Sequence, residues 1–262
     1  MGLTTKIGVC LEAFGRPFRS ALAQAAKLGV GGVQCDAVGD LSPRRLSASG
    51  RREIRHLLRS QNLELAGLVC PLRRGLDVAE DLEPRLARVR EAMTLSFELG
   101  ARIVVVDAGA VPERDDDPRL IPLIEALTAL GPFGDRTGTT VALQTGPDAG
   151  LRLAEFLTRF DSGALGVAAN PANWFLHGFD PAAELAALGG KIVLVHAADA
   201  VRGRSNRMGG LAPLGHGDLD WLQLAGTLAA LDYRGWIVVE RGGVTAETDV
   251  ANGVSFLRRL LG

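Results

Sequence analysis

Four side chains that can bind a ligand or move a proton stand at or directly after the ends of apolar segments. They are Gln144, Asn170, His196 and Glu240. An unbroken aliphatic run is typical of a strand buried on both faces, and parallel α/β folds keep their chemistry at the carboxyl ends of such strands. We therefore predict that the four side chains converge on one pocket.

Glu240 and His196 are the predicted catalytic residues. A carboxylate at the end of a buried strand is costly unless a metal, a cationic side chain such as Arg202 or a substrate hydroxyl compensates it. Glu240 is therefore expected to face a ligand and to accept a proton. His196, with an ordinary pKa of about 6.5, is the other candidate acid or base. A histidine satisfied within the core is the alternative for that position.

The composition favours a small-molecule ligand. With 29 Lys and Arg against 30 Asp and Glu, the formal charge is -1, which gives no overall attraction to nucleic acid or to an anionic membrane. No apolar stretch approaches the roughly 18 residues of a membrane span, and no leader segment is recognised, so we expect a cytoplasmic protein. The three cysteines have no metal-type spacing and are expected to be reduced.

Strand and helix patterns alternate eight times along the 262 residues, which predicts one (β/α)8 barrel domain over residues 1–262. An open doubly wound sheet is the alternative, but no Gly-x-Gly-x-x-Gly turn follows the first strand. The predicted strands are 6–11, 32–36, 63–70, 102–107, 139–144, 164–169, 191–196 and 236–240. The predicted helices are 16–28, 43–60, 82–99, 119–130, 151–160, 181–188, 218–232 and 247–261, and a long connection covers 197–217. The second helix is expected to have Ser42 as its cap and Pro43 at its first position.

Two motifs resemble those of the xylose isomerase-like barrel superfamily. They are Leu-Gly-His-Gly-Asp-Leu-Asp-Trp at 214–221 and Leu-Asp-Tyr-Arg-Gly-Trp at 231–236, which leads into the strand that ends on Glu240. A Gly-Phe-Asp-Pro segment at 178–181 is similar to the family's passage toward its seventh strand. The resemblance covers essentially the whole chain. It implies a (β/α)8 barrel of the group that contains sugar isomerases, sugar epimerases and apurinic-site endonucleases.

The resemblance also implies a metal site, but with two changes in its ligands. Family members with a metal hold one divalent ion through Glu, Asp, His and Glu, which correspond here to Gln144, Asn170, His196 and Glu240. Two carboxylates have become amides, so a single negative charge remains where the family offers three. Hard cations are held largely by ligand charge. We expect a weakened site for Mn²⁺, Mg²⁺ or Zn²⁺, with affinity lower by at least about 10 to 100-fold.

The predicted substrate-binding residues include Gln144 and Asn170 with four more, Phe14, Asn173, Trp174 and Arg202. Arg202 lies six residues after His196, as a substrate-binding arginine does in related epimerases. Trp174 and Phe14 could supply an apolar face for a sugar ring. Surface solvation of the arginine and ordinary packing of the aromatic side chains are the alternatives.

Further charged residues give less specific signals. Glu12, Asp36 and Asp107 end the first, second and fourth strands. Each is expected either to touch a ligand or to cap a helix or pair with a loop arginine. Arg204 and Arg207 add positive charge to the long connection and could hold a phosphate.

The functional hypothesis is a sugar or sugar-phosphate isomerase or epimerase that acts next to a carbonyl through Glu240. In family epimerases two facing glutamates act, and they correspond here to Gln144 and Glu240. Because glutamine cannot accept a proton, isomerisation is predicted rather than epimerisation. The alternative is a sugar- or polyol-binding protein that has lost metal and catalysis. A zinc site of the endonuclease type needs more histidines than the four present, and homo-oligomerisation is left open.

Overall fold

Eight parallel strands close into a barrel, in the order β1-β10-β7-β6-β5-β4-β3-β2, and β2 pairs back onto β1. The computed structural model describes residues 5–203, 209–240 and 247–262, without the side chain of Glu247. Arg204 and Arg207 lie outside these ranges. The predicted (β/α)8 fold is confirmed. The barrel strands are β1 (Lys6–Cys10), β2 (Gly32–Asp36), β3 (Glu64–Val69), β4 (Ile103–Val106), β5 (Thr140–Gln144), β6 (Leu165–Ala169), β7 (Ile192–Ala197) and β10 (Trp236–Val239).

Helices follow the strands and cover the outside of the barrel. They are α1 (Phe18–Lys27), α2 (Ala48–Ser60), α3 (Leu82–Leu99), α4 (Leu120–Thr137), α5 (Gly150–Leu157), α6 (Pro171–Leu176), α7 (Pro181–Leu188), α8 (Trp221–Ala230) and α9 (Glu247–Leu261). Within the described ranges, no helix is both long enough and apolar enough to cross a membrane.

The predicted start of the second helix is wrong. Residues 39–41 form a 3-10 turn instead, and α2 begins later, with the Ser47 hydroxyl accepting a hydrogen bond from the Gly50 N–H over 3.2 Å. Ser47, rather than Ser42, is therefore the cap of this helix. Pro43 lies before the helix, where its carbonyl accepts from the Arg51 side chain.

The amino end of the barrel is closed by Trp236. Its ring lies so close to Gly32 that an added Cβ there would come within 2.6 Å of it. The Lys6 ammonium lies 5.1 Å from the centroid of the Trp236 ring and 2.7 Å from the Glu64 carboxylate. Inside the barrel, next to Trp236, lies a layer of buried apolar side chains, namely Ala66, Val105, Ala142, Ala168, Leu194 and Val238. The polar interior is thereby restricted to the carboxyl end.

The predicted long connection after β7 contains two short antiparallel strands, β8 (Asp199–Val201) and β9 (Gly210–Ala212). Buried Asp199 accepts hydrogen bonds from the backbone N–H groups of Ala200, Gly215 and Leu219. A Cβ added at Gly217 would overlap the Asp199 carboxylate. The motif at 214–221 therefore shapes a loop around a buried acid, and His216 is exposed there.

Candidate active site

Glu240 and Asn170 meet at the carboxyl end of the barrel. Glu240 follows β10, and its Oε2 accepts a hydrogen bond from the Asn170 Nδ2 over 2.8 Å. Asn170 follows β6 and is 2% exposed. Two of the four strand-end side chains are thus in direct contact, although 70 residues separate them along the chain.

The orientation of the Asn170 amide is fixed by its neighbours. Its Oδ1 accepts from the Asn173 N–H over 3.3 Å as the cap of α6, and its main-chain N–H donates to the Thr145 Oγ1 over 2.8 Å. Amide orientation is assigned from such a network. Because the oxygen is used as the cap, the NH2 group is what Asn170 presents to Glu240.

His196 is paired with Gln34, a residue that the sequence analysis did not select. Both are 1% exposed, and the His196 Nε2 lies 2.9 Å from the Gln34 Oε1. The glutamine oxygen can only accept, so in this arrangement Nε2 carries the proton and Nδ1 has a free lone pair. Burial lowers the pKa of His196, against an opposing effect of the Glu240 charge. The imidazole is therefore neutral at pH 7.

Two buried atoms of this pair have no hydrogen-bond partner among the described residues. They are the Gln34 Nε2, a donor, and the His196 Nδ1, an acceptor. Leaving such a group unpaired costs about 1–3 kcal/mol, so buried polar groups normally have a partner. A donor and an acceptor in one pair match a ligand hydroxyl in chemistry, but both atoms are buried, so a ligand reaches them only if the side chains that cover them move. The signal available in the sequence was the inward spacing of Gln34 and Asp36 on β2.

Three carboxylates lie on the neighbouring strands β2, β1 and β10. The Glu12 Oε1 accepts from the main-chain N–H of Asp36 over 2.7 Å, and the Glu12 Oε2 accepts from the Cys10 thiol over 3.2 Å. Burial, followed by the charges of Glu12 and Glu240, raises the pKa of Asp36 to about 6. Among the described residues, no Lys, Arg or His lies within 4 Å of any of the three carboxylates. The mouth of the barrel is therefore negative on this side.

The remaining strand-end residues have smaller roles. Gln144 ends β5 and is partly exposed, and its backbone pairs with Ala168. The Asn173 Nδ2 donates to the Thr145 carbonyl over 2.9 Å. The Asp107 Oδ1 accepts from the Gly109 N–H over 3.0 Å, which is local capping. Asn173 and Asp107 therefore use these side-chain atoms in hydrogen bonds within the protein.

The two aromatic residues predicted to rest against a sugar ring lie in the core. Trp174 is 0% exposed and its Nε1 donates to the Asp148 carbonyl over 2.9 Å, while Phe14 is 4% exposed. Neither ring has a face available to a ligand in this arrangement, so a stacking role does not fit them. The physical reason is that both belong to short helices packed onto the barrel, and such helices turn their aromatic side chains inward.

Arg202 lies beside the mouth of the barrel. Its guanidinium carbon is 4.8 Å from the centroid of the Phe175 ring, and its main-chain N–H donates to the Asp218 Oδ2 over 2.8 Å. These residues line a cavity of about 320 Å³ between α7 and α8. Glu240, Asn170 and His196 do not line it. Contact of Arg202 with a ligand held by Glu240 would therefore need a ligand that extends toward this cavity.

The donor set does not fit a firmly held divalent cation. Glu240 is the one carboxylate among the four matched positions, and Asn170 presents an NH2 group to it where a metal needs an oxygen. In the described parts of the chain, no three His, Cys, Asp or Glu side chains are arranged to hold a metal ion. The His196 Nδ1 has a free lone pair, but one imidazole and one carboxylate supply too little ligand charge for Mg²⁺ or Mn²⁺.

Comparison with known proteins identifies a family that matches the chain and solved structures with a similar fold. A family model described as xylose isomerase-like TIM barrel matches residues 22–260. No curated protein sequence matches the chain. The crystal structure of a xylose isomerase domain protein from Planctomyces limnophilus is 22% identical, with a TM-score of 0.86 over 99% of this chain and 98% of that one. A D-tagatose 3-epimerase-like protein is 19% identical, with a TM-score of 0.82 over 98% and 97%. A D-psicose 3-epimerase solved in the presence of D-fructose is 14% identical, with a TM-score of 0.81 over 98% and 100%.

Proposed function

Since the chain belongs to the xylose isomerase-like TIM barrel family, we propose that it is a sugar isomerase or epimerase that acts next to a carbonyl through Glu240. The observation that carries this proposal is the Glu240 carboxylate, held at the mouth of the barrel by the Asn170 amide. The solved structures with the same fold include several sugar 3-epimerases. A sugar with a ketone or aldehyde group is the proposed substrate.

Proton transfer is assigned to Glu240. The chemistry removes a proton from a carbon beside the carbonyl and returns it, which needs a positioned base and stabilisation of the enediolate oxygen. Asn170 binds one oxygen of Glu240, so the other oxygen is left for the substrate. The hydrogen bond to Asn170 fixes the carboxylate without removing its charge.

Gln34 and His196 are assigned to the substrate's oxygen atoms. Both side chains are 1% exposed, so this assignment requires the side chains that cover them to move when the substrate binds. The unpaired Gln34 Nε2 then donates to the developing enediolate oxygen, and the unpaired His196 Nδ1 accepts from a neighbouring hydroxyl. A neutral imidazole suits this role, since an imidazolium would have no lone pair to offer. Gln144 and Asn173 offer further amide groups to hydroxyls, and no step is assigned to a metal because the donor set does not fit one.

Isomerisation is proposed rather than epimerisation. Inversion of a carbon needs one base on each face of the substrate, and Gln144 on β5, across the barrel from β10, cannot accept a proton. Glu12 follows β1, the strand next to β10, and Asp36 ends β2, the next strand beyond β1, so both carboxylates lie on the side that Glu240 already occupies. One-sided chemistry moves a proton between adjacent carbons on the same face.

Solvent exchange tests this proposal. The protein is incubated in deuterated water with D-fructose, D-tagatose, D-psicose and L-ribulose, and products are identified by NMR. We expect aldose products that carry solvent deuterium, and no product from Glu240→Gln. Glu64→Gln, at the closed end of the barrel, serves as the matched control and should remain active. Deuterium at an inverted ketose carbon would contradict the one-sided scheme.

The second candidate function is a sugar- or polyol-binding protein without catalysis. The replacement of two acidic positions by Gln144 and Asn170 favours this candidate. It predicts that sugars bind and stabilise the fold without exchanging protons with the solvent. Ligand at a hundredfold excess over its dissociation constant adds about 2.7 kcal/mol of stability, which a thermal-shift assay detects. Binding with no exchange from any sugar would replace the enzyme proposal with this one.

A further inference from the structure

Two adjoining cavities outside the barrel mouth are lined by arginines. One, of about 450 Å³, lies against the loop after β2, and the other, of about 360 Å³, lies against the loop after β3. They share Pro84 and Arg88 at the start of α3, so they form one groove. Six arginines line it, and we call them the arginine rim: Arg44, Arg45, Arg73, Arg74, Arg85 and Arg88.

Half of the arginine rim is held in place by protein groups. The Arg44 guanidinium lies 2.8 Å from Glu91, Arg74 pairs with Glu80, and Arg85 donates to the Glu80 carbonyl over 2.6 Å. Glu91 and Asp81 are the acidic residues that line the groove. Six arginines against these two acids leave the lining strongly positive in a chain whose formal charge is -1.

The other half is available to a ligand. Arg45, Arg73 and Arg88 are exposed, and the structure gives none of them an ion pair with an acidic side chain of the described residues. Arg88 is hydrogen-bonded to the Cys70 side chain, which follows β3, but has no ion pair. Guanidinium groups without an ion pair around one concave surface repel one another, and an anion would relieve that repulsion.

The groove adjoins the acidic mouth of the barrel. The loops that line it follow β2 and β3, so they leave the barrel at the same end as Asp36 and Glu240. The Cys70 thiol is close enough to feel the charges of both Arg88 and Asp36. A ligand in the groove can therefore extend toward the mouth, where the carboxylates of Glu12, Asp36 and Glu240 would repel an anion.

We propose that the arginine rim is a binding site for the phosphate group of a small phosphorylated metabolite. Guanidinium groups match phosphate with two parallel hydrogen bonds each, and the three arginines without an ion pair can surround a dianion from several sides. The groove is concave and of ligand size. If the proposed function holds, the phosphate is that of a sugar phosphate whose carbonyl end reaches Glu240; in this part the proposal rests on the proposed function.

Direct titration tests the site without reference to catalysis. Isothermal titration with inorganic phosphate and with pyrophosphate is run at constant ionic strength, with chloride as the reference anion. The variant Arg45→Ser/Arg73→Ser/Arg88→Ser should bind each probe more weakly, by about tenfold for each arginine removed. The control Arg52→Ser/Arg55→Ser/Arg59→Ser removes the same charge from the exposed surface of α2 and should bind as the wild type does. Equal losses in both variants, or no phosphate binding above the chloride reference, would overturn the proposal.

A second comparison identifies the source of the phosphate. D-fructose 6-phosphate and D-fructose are compared as substrates of the wild type and of the rim variant. A KM advantage of the phosphorylated sugar that disappears in the rim variant assigns the phosphate to the substrate. Phosphate binding lost in the rim variant, with no difference between the two sugars, assigns the site to a separate phosphorylated ligand. Absence of exchange with every sugar would refute the proposed function and leave the binding result in force.

Discussion

Replacing Asn170 by aspartate should turn its attractive contact with Glu240 into a repulsive one. Asn170→Asp keeps one oxygen as the cap of α6 but turns the other toward the Glu240 Oε2, which now accepts a hydrogen bond over 2.8 Å. A hydrogen bond to a charged group, about 1.5–3 kcal/mol, is lost. Two unit charges roughly 4 Å apart also repel by about 4 kcal/mol at an effective dielectric constant near 20. The sum is an upper bound because one carboxylate can take up a proton.

The pH dependence of this loss has a definite sign. The repulsion raises the pKa of the carboxylate pair above the value of about 4 in the unfolded chain, so the native state binds more protons than the unfolded state. Stability then falls as the pH rises from about 4 through the raised pKa. Metal-free Asn170→Asp should therefore be less stable than the wild type by about 2 kcal/mol or more at pH 8, and the difference should shrink at pH 5.

A divalent cation should restore the stability that the Asn170→Asp substitution removes. The double variant Gln144→Glu/Asn170→Asp is expected to bind Mn²⁺ at least about a hundredfold more tightly than the wild type. Denaturant titrations with chelator and with MnCl₂ measure stability, isothermal titration measures affinity, and inductively coupled plasma mass spectrometry measures metal in protein purified without chelator. Asn173→Asp adds the same charge in α6 but faces the Thr145 carbonyl, so Mn²⁺ should not rescue it. Equal Mn²⁺ affinity of the wild type and the double variant would refute the shared site.

Three further substitutions test other parts of the structure. Asp36→Asn removes a carboxylate whose pKa is raised to about 6. Because ionisation of Asp36 lowers the stability of the wild type as the pH rises from 4 to 6, we expect the variant to be more stable than the wild type by about 1–2 kcal/mol at pH 7, after allowance for solvent screening, and equally stable below pH 4. Denaturant titration measures this difference. Gln34→Leu leaves the buried His196 Nε2 without its acceptor, and should cost about 1–3 kcal/mol and change the imidazole ¹⁵N shifts in NMR spectra; unchanged shifts would contradict the pairing. Gly217→Ala should destabilise by more than about 2 kcal/mol, because its Cβ would overlap the Asp199 carboxylate, whereas Gly146→Ala, with open space around the new Cβ, should not.

The barrel and the meeting of its strand ends were accessible from the sequence because both follow from local patterns. Apolar runs separated by amphipathic segments predict alternating strands and helices, and a parallel barrel brings all carboxyl ends to one face. Glu240 and Asn170 were expected in one pocket for that reason alone, and they lie in contact. That the pocket is catalytic stays a prediction.

The features that were missed depend on contacts between distant segments. Gln34 and His196 are separated by 162 residues and lie on strands that are not neighbours, so no local sequence pattern predicts their pairing. The helix α6 has only six residues, which is too short to show a helical period. Trp174 was expected to offer its ring to a sugar because α6 was not predicted, whereas the helix turns the ring into the core.

The distribution of negative charge around the barrel mouth suggests a physical reason for amide side chains at Gln144 and Asn170. In the ligand alignment that the resemblance implies, Gln144 and Asn170 take the places of carboxylates, while Glu12 follows β1 and Asp36 ends β2, on the side of Glu240. If Asn170 were an aspartate without a metal, Glu240 would face carboxylates on both sides, and one of them would have to be protonated at neutral pH. The amide instead donates a hydrogen bond to Glu240. In the ligand alignment that the resemblance implies, the amide of Asn170 therefore takes the place of a metal ligand and gives Glu240 a hydrogen-bond donor.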